Sequence, residues 1–314
     1  MPDLFVRGND AVAINPADGT DFHLTEHGSD WLWAAFSLFA LSTLVSVGLS
    51  YSKPRSERLF YNINSIALLV MSVTYFTTAS NLGWTSIQAE FNHVQVSDQT
   101  VEPGFRQIFY ARFVGWFLAF PLVIVNYATL FSLDWSNLVF TVATQWMTVI
   151  GLLIGSLIKS TYKWGYFTFG AFGFILEAVE LMWYFRRSAN EADFAKAGIV
   201  LTSLSTLLLM LYPVAWGLSY GGNVIQPDSE AVFFGVLDVC FFVILGAIFL
   251  FFASGVDYTS YGIATLGRPV LHRTNYMRPG AATVSSPAAK EAALNNNNNN
   301  RHSGETAADP NQAV

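Results

Sequence analysis

Charge is scarce in this chain: only 12% of its 314 residues are Asp, Glu, Lys or Arg, against roughly 25% in an average soluble domain. That shortfall argues against a water-soluble fold. Cysteine is nearly absent too. The single Cys240 excludes an intrachain disulfide and a cysteine-built metal centre, and it reads as a small apolar packing residue. His23, His27, His93, His272 and His302 fall in expected tails or loops and form no metal-ligand cluster. The basic residues are scattered and the net charge is -6, so no cationic stripe exists to track phosphates and nucleic acid is not expected as a partner. No Asn-x-Ser/Thr acceptor occurs. No cleavable signal is expected either, because Asp3, Asp10, Asp18, Asp21, Glu26 and Asp30 precede the first apolar stretch where a basic region would stand.

What is abundant is apolar sequence, at 53% of the chain. Uncharged or nearly uncharged segments run at about 31–51, 59–84, 106–131, 135–158, 163–185, 198–220 and 230–254. Each is close to the roughly 20 residues that cross a bilayer as a helix. Only helices satisfy the backbone of an open chain in lipid. The expected fold is therefore an all-α, seven-transmembrane-helix bundle occupying 29–255. A polar extracellular segment at 1–28 and a disordered cytoplasmic tail at 256–314 flank it. Ser286, before Pro287, is a candidate phosphorylation site in that tail.

Lys53, Arg55, Arg58, Arg186, Arg187, Lys196, Arg268, Arg273 and Arg278 fall on one side of such a bundle, against Arg7, Arg106, Lys159 and Lys163 on the other. By the positive-inside rule the N-terminus is extracellular and the C-terminus cytoplasmic. The longest connection, 85–105, alternates around Phe91, His93, Val94 and Val96, which suggests a short hairpin there.

Three segments carry a resemblance. The third contains Tyr110-Ala111-Arg112-Phe113-Val114-Gly115-Trp116, then Pro121-Leu122 and Asn126. The sixth contains Leu211-Tyr212-Pro213-Val214-Ala215-Trp216, and the seventh has Glu230 followed by Phe233-Phe234-Gly235-Val236-Leu237-Asp238-Val239. In this order they resemble the microbial (type 1) rhodopsins over about 28–255. Ser29-Asp30-Trp31-Leu32-Trp33 and Lys163-Trp164-Gly165-Tyr166 are similar to the fungal branch. G-protein-coupled receptors are disfavoured, since their third-helix Asp/Glu-Arg-Tyr end, Asn-Pro-x-x-Tyr motif and cysteine pair are missing.

The resemblance implies a chromophore lysine four residues after Asp238, and that position is Phe242. Residues i and i+4 share a helix face, and a phenyl ring cannot form an imine. Lys53, Lys159, Lys163, Lys196 and Lys290 all sit at expected loops, edges or the tail, so no buried amine is expected to substitute. On one face of the third segment, Gly115 stands where the family's pumps keep a proton-accepting aspartate. Ala119 replaces a threonine, and Asn126 stands where they keep a proton donor. Arg112 and Asp238 remain as a possible neutral pair, either structural or a residual gate.

Glu177 and Glu180 are intramembrane acids. Glu177 is a candidate for a polar role and Glu180 is expected to snorkel toward Arg186 and Arg187. Glu230 matches an acid of the family's extracellular proton-release region and is expected to be mainly a helix-start residue. Trp116, Tyr212 and Trp216 match the aromatics that cage retinal, while Leu209 replaces another tryptophan. No covalent retinal is expected; a non-covalent lipid, sterol or retinoid in the remaining aromatic cavity stays open, as does relict proton or ion conduction. Together these features are similar to fungal opsin-related proteins lacking the lysine, including heat-shock-protein-30-like members. That likeness implies a plasma-membrane, non-enzymatic, stress-linked role, with the proton ATPase or other membrane proteins as partners and homo-oligomers in the bilayer.

Overall fold

A computed structural model describes residues 9–55, 57–254 and 256. Seven helices in it are long and apolar enough to cross a membrane: α1 (Glu26–Ser52), α2 (Arg58–Ala79), α3 (Tyr110–Phe131), α4 (Trp135–Ser156), α5 (Lys163–Glu191), α6 (Ala195–Gly221) and α7 (Pro227–Ala253). At 1.5 Å per residue the shortest of these reach about 33 Å, enough for the hydrocarbon core. Each helix packs on its neighbours in sequence, and α1 also packs on α7, which closes a ring.

The distribution of side chains is that of a protein dissolved in lipid. Leu44, Trp183 and Phe251 are 70%, 68% and 76% exposed, facing outward as a bilayer demands. The interior, by contrast, takes in Arg106, Arg112, Lys163, Glu177, Glu230 and Asp238. Polar groups inside a membrane bundle have to satisfy one another.

Several helix ends differ from the sequence expectation for physical reasons. α1 starts at Glu26, not near 31, because Thr25 is anchored from α7: Asp228 accepts from the Thr25 amide at 2.9 Å and from its hydroxyl at 2.5 Å. Glu26 then adds a carboxylate to the first turn, where the helix dipole favours it. α2 stops at Ala79, since Asn81 and Gly83 take left-handed backbone angles, φ 56° and 70°. α3 begins at Tyr110 because the residues before it pair as a strand. The hairpin is formed by β1 (Thr85–Gln88) and β2 (Phe105–Ile108), antiparallel, with Thr85 opposite Ile108 and Gln88 opposite Phe105. Its strands flank Phe91–Val96 and do not contain them, contrary to the expected placement.

Residues 20–25 run beside β2: the Asp21 and Phe22 amides donate to Phe105 O, and Gln107 N donates to Phe22 O, each at 2.9 Å. Asp21 adds side-chain bonds from the Phe105 amide at 2.7 Å and the Thr100 amide at 2.6 Å. This assembly caps one end of the bundle, called the hairpin end below.

α3 and α6 carry Pro121 and Pro213 inside the helix, tolerated in a membrane where neighbouring helices re-satisfy the backbone. π-helical turns occur at Glu180–Phe185 in α5, Gly217–Gly221 in α6 and Val239–Ile244 in α7. Most of the expected tail, with Ser286, Lys290, Arg268, Arg273 and Arg278, lies outside the described residues, as does Arg7.

Candidate functional site

Arg112, Gly115, Ala119 and Asn126 are all buried on one face of α3, as their helical spacing requires. Arg112 does not pair with Asp238. Its Nη1 donates to Glu230 Oε1 at 2.5 Å and to the Tyr220 hydroxyl at 2.6 Å. Its guanidinium lies 4.7 Å from the Phe234 ring centroid, a cation–π contact. The reason is axial level: Arg112 is in the first turn of α3 and Glu230 in the first turn of α7, both at the hairpin end. Asp238 is eight residues further along α7, or about 12 Å.

Glu230 is therefore far more than a helix-start residue. It is 1% exposed, and it also accepts from Arg106 Nη2 at 2.8 Å and from the Tyr220 hydroxyl. Arg106 reaches in from β2, and its Nη1 also donates to Asn223 Oδ1 at 2.5 Å and Ile225 O at 2.8 Å. One carboxylate thus holds two guanidiniums across β2, α3, α6 and α7. The count of basic residues on each side of the bundle placed Arg106 at the periphery; the structure buries it with Gln107 and Ile108 in β2, and no motif in the sequence signalled that.

Asp238 is satisfied by neutral donors. Tyr75 donates to Oδ2 at 2.6 Å, and Tyr212 and Trp116 donate to Oδ1 at 2.7 and 2.9 Å. Tyr75 was missed in the sequence because α2 carries no motif of the resemblance. Its buried company at helical spacing, Met71, Thr74 and Thr78, was the available signal.

Phe242 lies in the π-helical turn of α7 and is buried. Its ring centroid is 5.0 Å from Phe120 and 5.2 Å from Phe241. Trp116 meets Tyr212 edge-on at 5.2 Å. Trp216, expected in the same cage, turns instead to α4 and α5: its indole N–H lies 2.9 Å from Leu152 O and 2.7 Å from Ser156 Oγ, and the ring stacks on Phe167 at 5.0 Å.

Two further expectations need correction. Lys163 is 2% exposed, its ammonium donating to Tyr220 O at 3.1 Å, so a buried amine does exist, although at the hairpin end. Glu180 does not reach for Arg186 or Arg187, because Asn137 of α4 donates to it at 3.1 Å. Glu177 is equally engaged with α4, where the Gln145 amide nitrogen, turned toward it, donates to both carboxylate oxygens. Gly115 leaves no hole: a Cβ there would overlap Thr74 Oγ1 and lie 3.0 Å from Thr74 Cβ. Asn126 donates weakly to Phe60 O at 3.5 Å, and its Oδ1 is buried without a partner.

These residues do not fit a covalent retinal, because the side chain at 242 offers no nitrogen and Asp238 faces no ammonium. Nor do the described residues contain a group of three His, Cys, Asp or Glu that could hold a metal ion.

Comparison with known proteins agrees with this architecture. The family profile described as "Bacteriorhodopsin-like protein" matches residues 27–256. The opsin-like protein carO of Fusarium fujikuroi is 38% identical over 266 residues, covering 83% of this chain and 86% of its own. The 30 kDa heat shock protein of Saccharomyces cerevisiae is 36% identical over 320 residues, covering 96% and 93%. Among solved structures, a light-driven proton pump from Leptosphaeria maculans superposes with a TM-score of 0.69 at 23% identity, covering 75% of this chain and 99% of the other. At that identity the likeness concerns the fold alone. A seven-helix membrane bundle, these motifs and these relatives lead to one conclusion: the chain belongs to the bacteriorhodopsin-like family, among its fungal opsin-related members.

Proposed function

We propose that this is a non-photochemical, non-enzymatic opsin-related membrane protein that acts through contacts with other membrane proteins. The observation that carries the reading is the chemistry around Asp238. Its carboxylate is held by Tyr75, Tyr212 and Trp116, and Phe242 is packed against Phe120 and Phe241 where the resemblance asks for a lysine. Gly115 and Asn126 then stand where a pump of this family keeps its proton acceptor and donor.

The name of the 30 kDa heat shock protein supports a link to stress. We take the plasma membrane as the location, with the N-terminus outside and the C-terminus cytoplasmic. The proton ATPase of that membrane is the first partner to test, and self-association in the bilayer is part of the same reading.

Two measurements test it. All-trans retinal added to the purified protein is expected to give no visible-range pigment, and a borohydride-trapped adduct would overturn the assignment. Co-purification from stressed cells is expected to recover the ATPase, with hydrolysis changed on deletion of this protein; unchanged pump activity and unchanged stress survival would remove the regulator reading.

A further inference from the structure

On the lipid-facing side of the bundle, at the end opposite the hairpin, α1, α2 and α7 leave a crevice of about 500 Å³. Two apolar ladders wall it: Leu41, Val45 and Leu49 on α1, and Val243, Ala247 and Phe251 on α7. Each ladder is spaced i, i+4, i+8, so each is about 12 Å long and presents one face. Such walls fit a flat, rigid, apolar body better than mobile acyl chains, whose ordering costs more entropy.

The floor is polar. Asn64 of α2 is 94% buried, being 6% exposed, and its Nδ2 donates to Ser46 Oγ at 3.3 Å. Ser46 is already committed, donating to Tyr61 O at 3.3 Å and accepting from Ser65 at 3.0 Å. Asn64 Oδ1, in contrast, receives no hydrogen bond among the described residues. It faces Gly246, where a Cβ would come within 2.9 Å of it, so the missing side chain keeps that acceptor open. Asn64 lines the crevice, so an acceptor left without a protein donor there is free to take one from a molecule lodged in it.

We propose that the crevice binds a membrane sterol, whose hydroxyl donates to Asn64 Oδ1 while its ring system lies between the ladders. The charge distribution selects against anionic lipids. Lys53 at the mouth is 3.7 Å from Glu57 Oε2 and donates to Ser254 Oγ at 3.2 Å. Its charge is thus already taken up, and the open floor atom is an acceptor that would repel a phosphate or carboxylate. A single uncharged hydroxyl on an apolar body is the matching chemistry. The site lies on the lipid-facing side of the bundle, apart from the Asp238 interior, and does not depend on the partner reading.

The test is photolabelling of the full chain in liposomes with a sterol carrying a diazirine in its ring system, mapped by mass spectrometry. Labels are expected to concentrate on peptides covering Leu41–Lys53 and Val243–Ser254. Unlabelled sterol should compete, and its 3-methyl ether, which cannot donate, should compete poorly. Asn64→Leu should weaken labelling by roughly tenfold at most, the worth of one hydrogen bond. Ala247→Phe fills the crevice from an exposed position without entering the core and should abolish labelling. Even labelling of all seven helices, equal competition by the ether, displacement by phosphatidylserine, or labelling that survives Ala247→Phe would each overturn the proposal.

Discussion

At Gly115 the missing side chain has been replaced in space by a neighbour from another helix. Thr74 of α2 occupies the volume where a Cβ would go, so α2 and α3 approach more closely than any larger residue permits. Gly115→Ala is expected to destabilise the bundle by about 1–3 kcal/mol, as overpacking does. Thr74→Ala in the same chain should recover most of that loss. Thermal unfolding in detergent of the two single variants and the double variant measures the coupling, and additive losses would refute the contact. Outside the bilayer, Asp21 makes a different prediction. Burial raises its carboxyl, but donation from the Phe105 and Thr100 amides and the Thr100 hydroxyl, with His23 nearby, together holds it below the ordinary carboxylate range. A lowered folded value means that Asp21 stabilises the cap fully above the unfolded value, roughly pH 4, and that this contribution disappears as pH falls through the folded one. The protection factors of the Thr100 and Phe105 amides, hydrogen exchange referred to the intrinsic rate at each pH, should therefore fall at acidic pH in the native chain. In Asp21→Asn that protection should already be low at neutral pH and vary little with acidification.

Among the elements, the start of α7 carries the largest electrostatic burden. Glu230 offsets both Arg106 and Arg112, whose guanidiniums are buried. Removing one member of such a set leaves uncompensated charge, at a cost of about 3–5 kcal/mol. Glu230→Gln is accordingly expected to lower the detergent unfolding temperature far more than Glu191→Gln, whose pair with Arg187 is exposed and worth little. Equal shifts would show that the cluster is not the keystone of the hairpin end. This cluster also marks where sequence reasoning stopped. The seven segments, the buried face of α3 and the positions of Asp238 and Phe242 were legible because hydropathy and helical spacing are one-dimensional properties. The partner of Arg112 was not, since Asp238 and Glu230 occur on the same helix and only the axial offset between α3 and α7 decides between them. Lys163 misled for a related reason: a lysine at a helix start reads as peripheral until the adjoining turn at Tyr220 closes over it. Gln145 and Tyr75 carried no motif and emerged only when helices were laid side by side.

At the scale of the whole molecule, the described interior separates into polar levels with an aromatic layer between them. Arg106, Arg112, Glu230 and Tyr220 lie at the hairpin end, with Asp238 and its three donors next. Phe120 then packs on Tyr212, Phe241 and Phe242 at centroid distances of 5.6, 4.9 and 5.0 Å. Beyond it come Asn126 and the Tyr127–Ser205 pair, with Phe249 on Phe60 and Tyr127. Glu177 stands aside from this line, at the α4–α5 contact with Gln145. A proton leaving Asp238 toward Asn126 has to pass the phenylalanine layer, and a charge inside a bilayer costs at least about 2.5–3.5 kcal/mol even on the lenient insertion scales. Asn126, an amide, cannot take up and release a proton at physiological pH. The bundle is therefore expected not to conduct: liposomes containing it should hold a pH gradient as long as protein-free vesicles do, at either sign of membrane potential. Replacing Phe120 and Phe242 by alanine in one chain removes most of the aromatic layer, and a leak that appears only in that variant would identify the layer as the barrier. A proton flux through the native chain that Asp238→Asn abolishes would instead show that Asp238 still serves a conducting path, and would sink the reading of these helices as a silent scaffold.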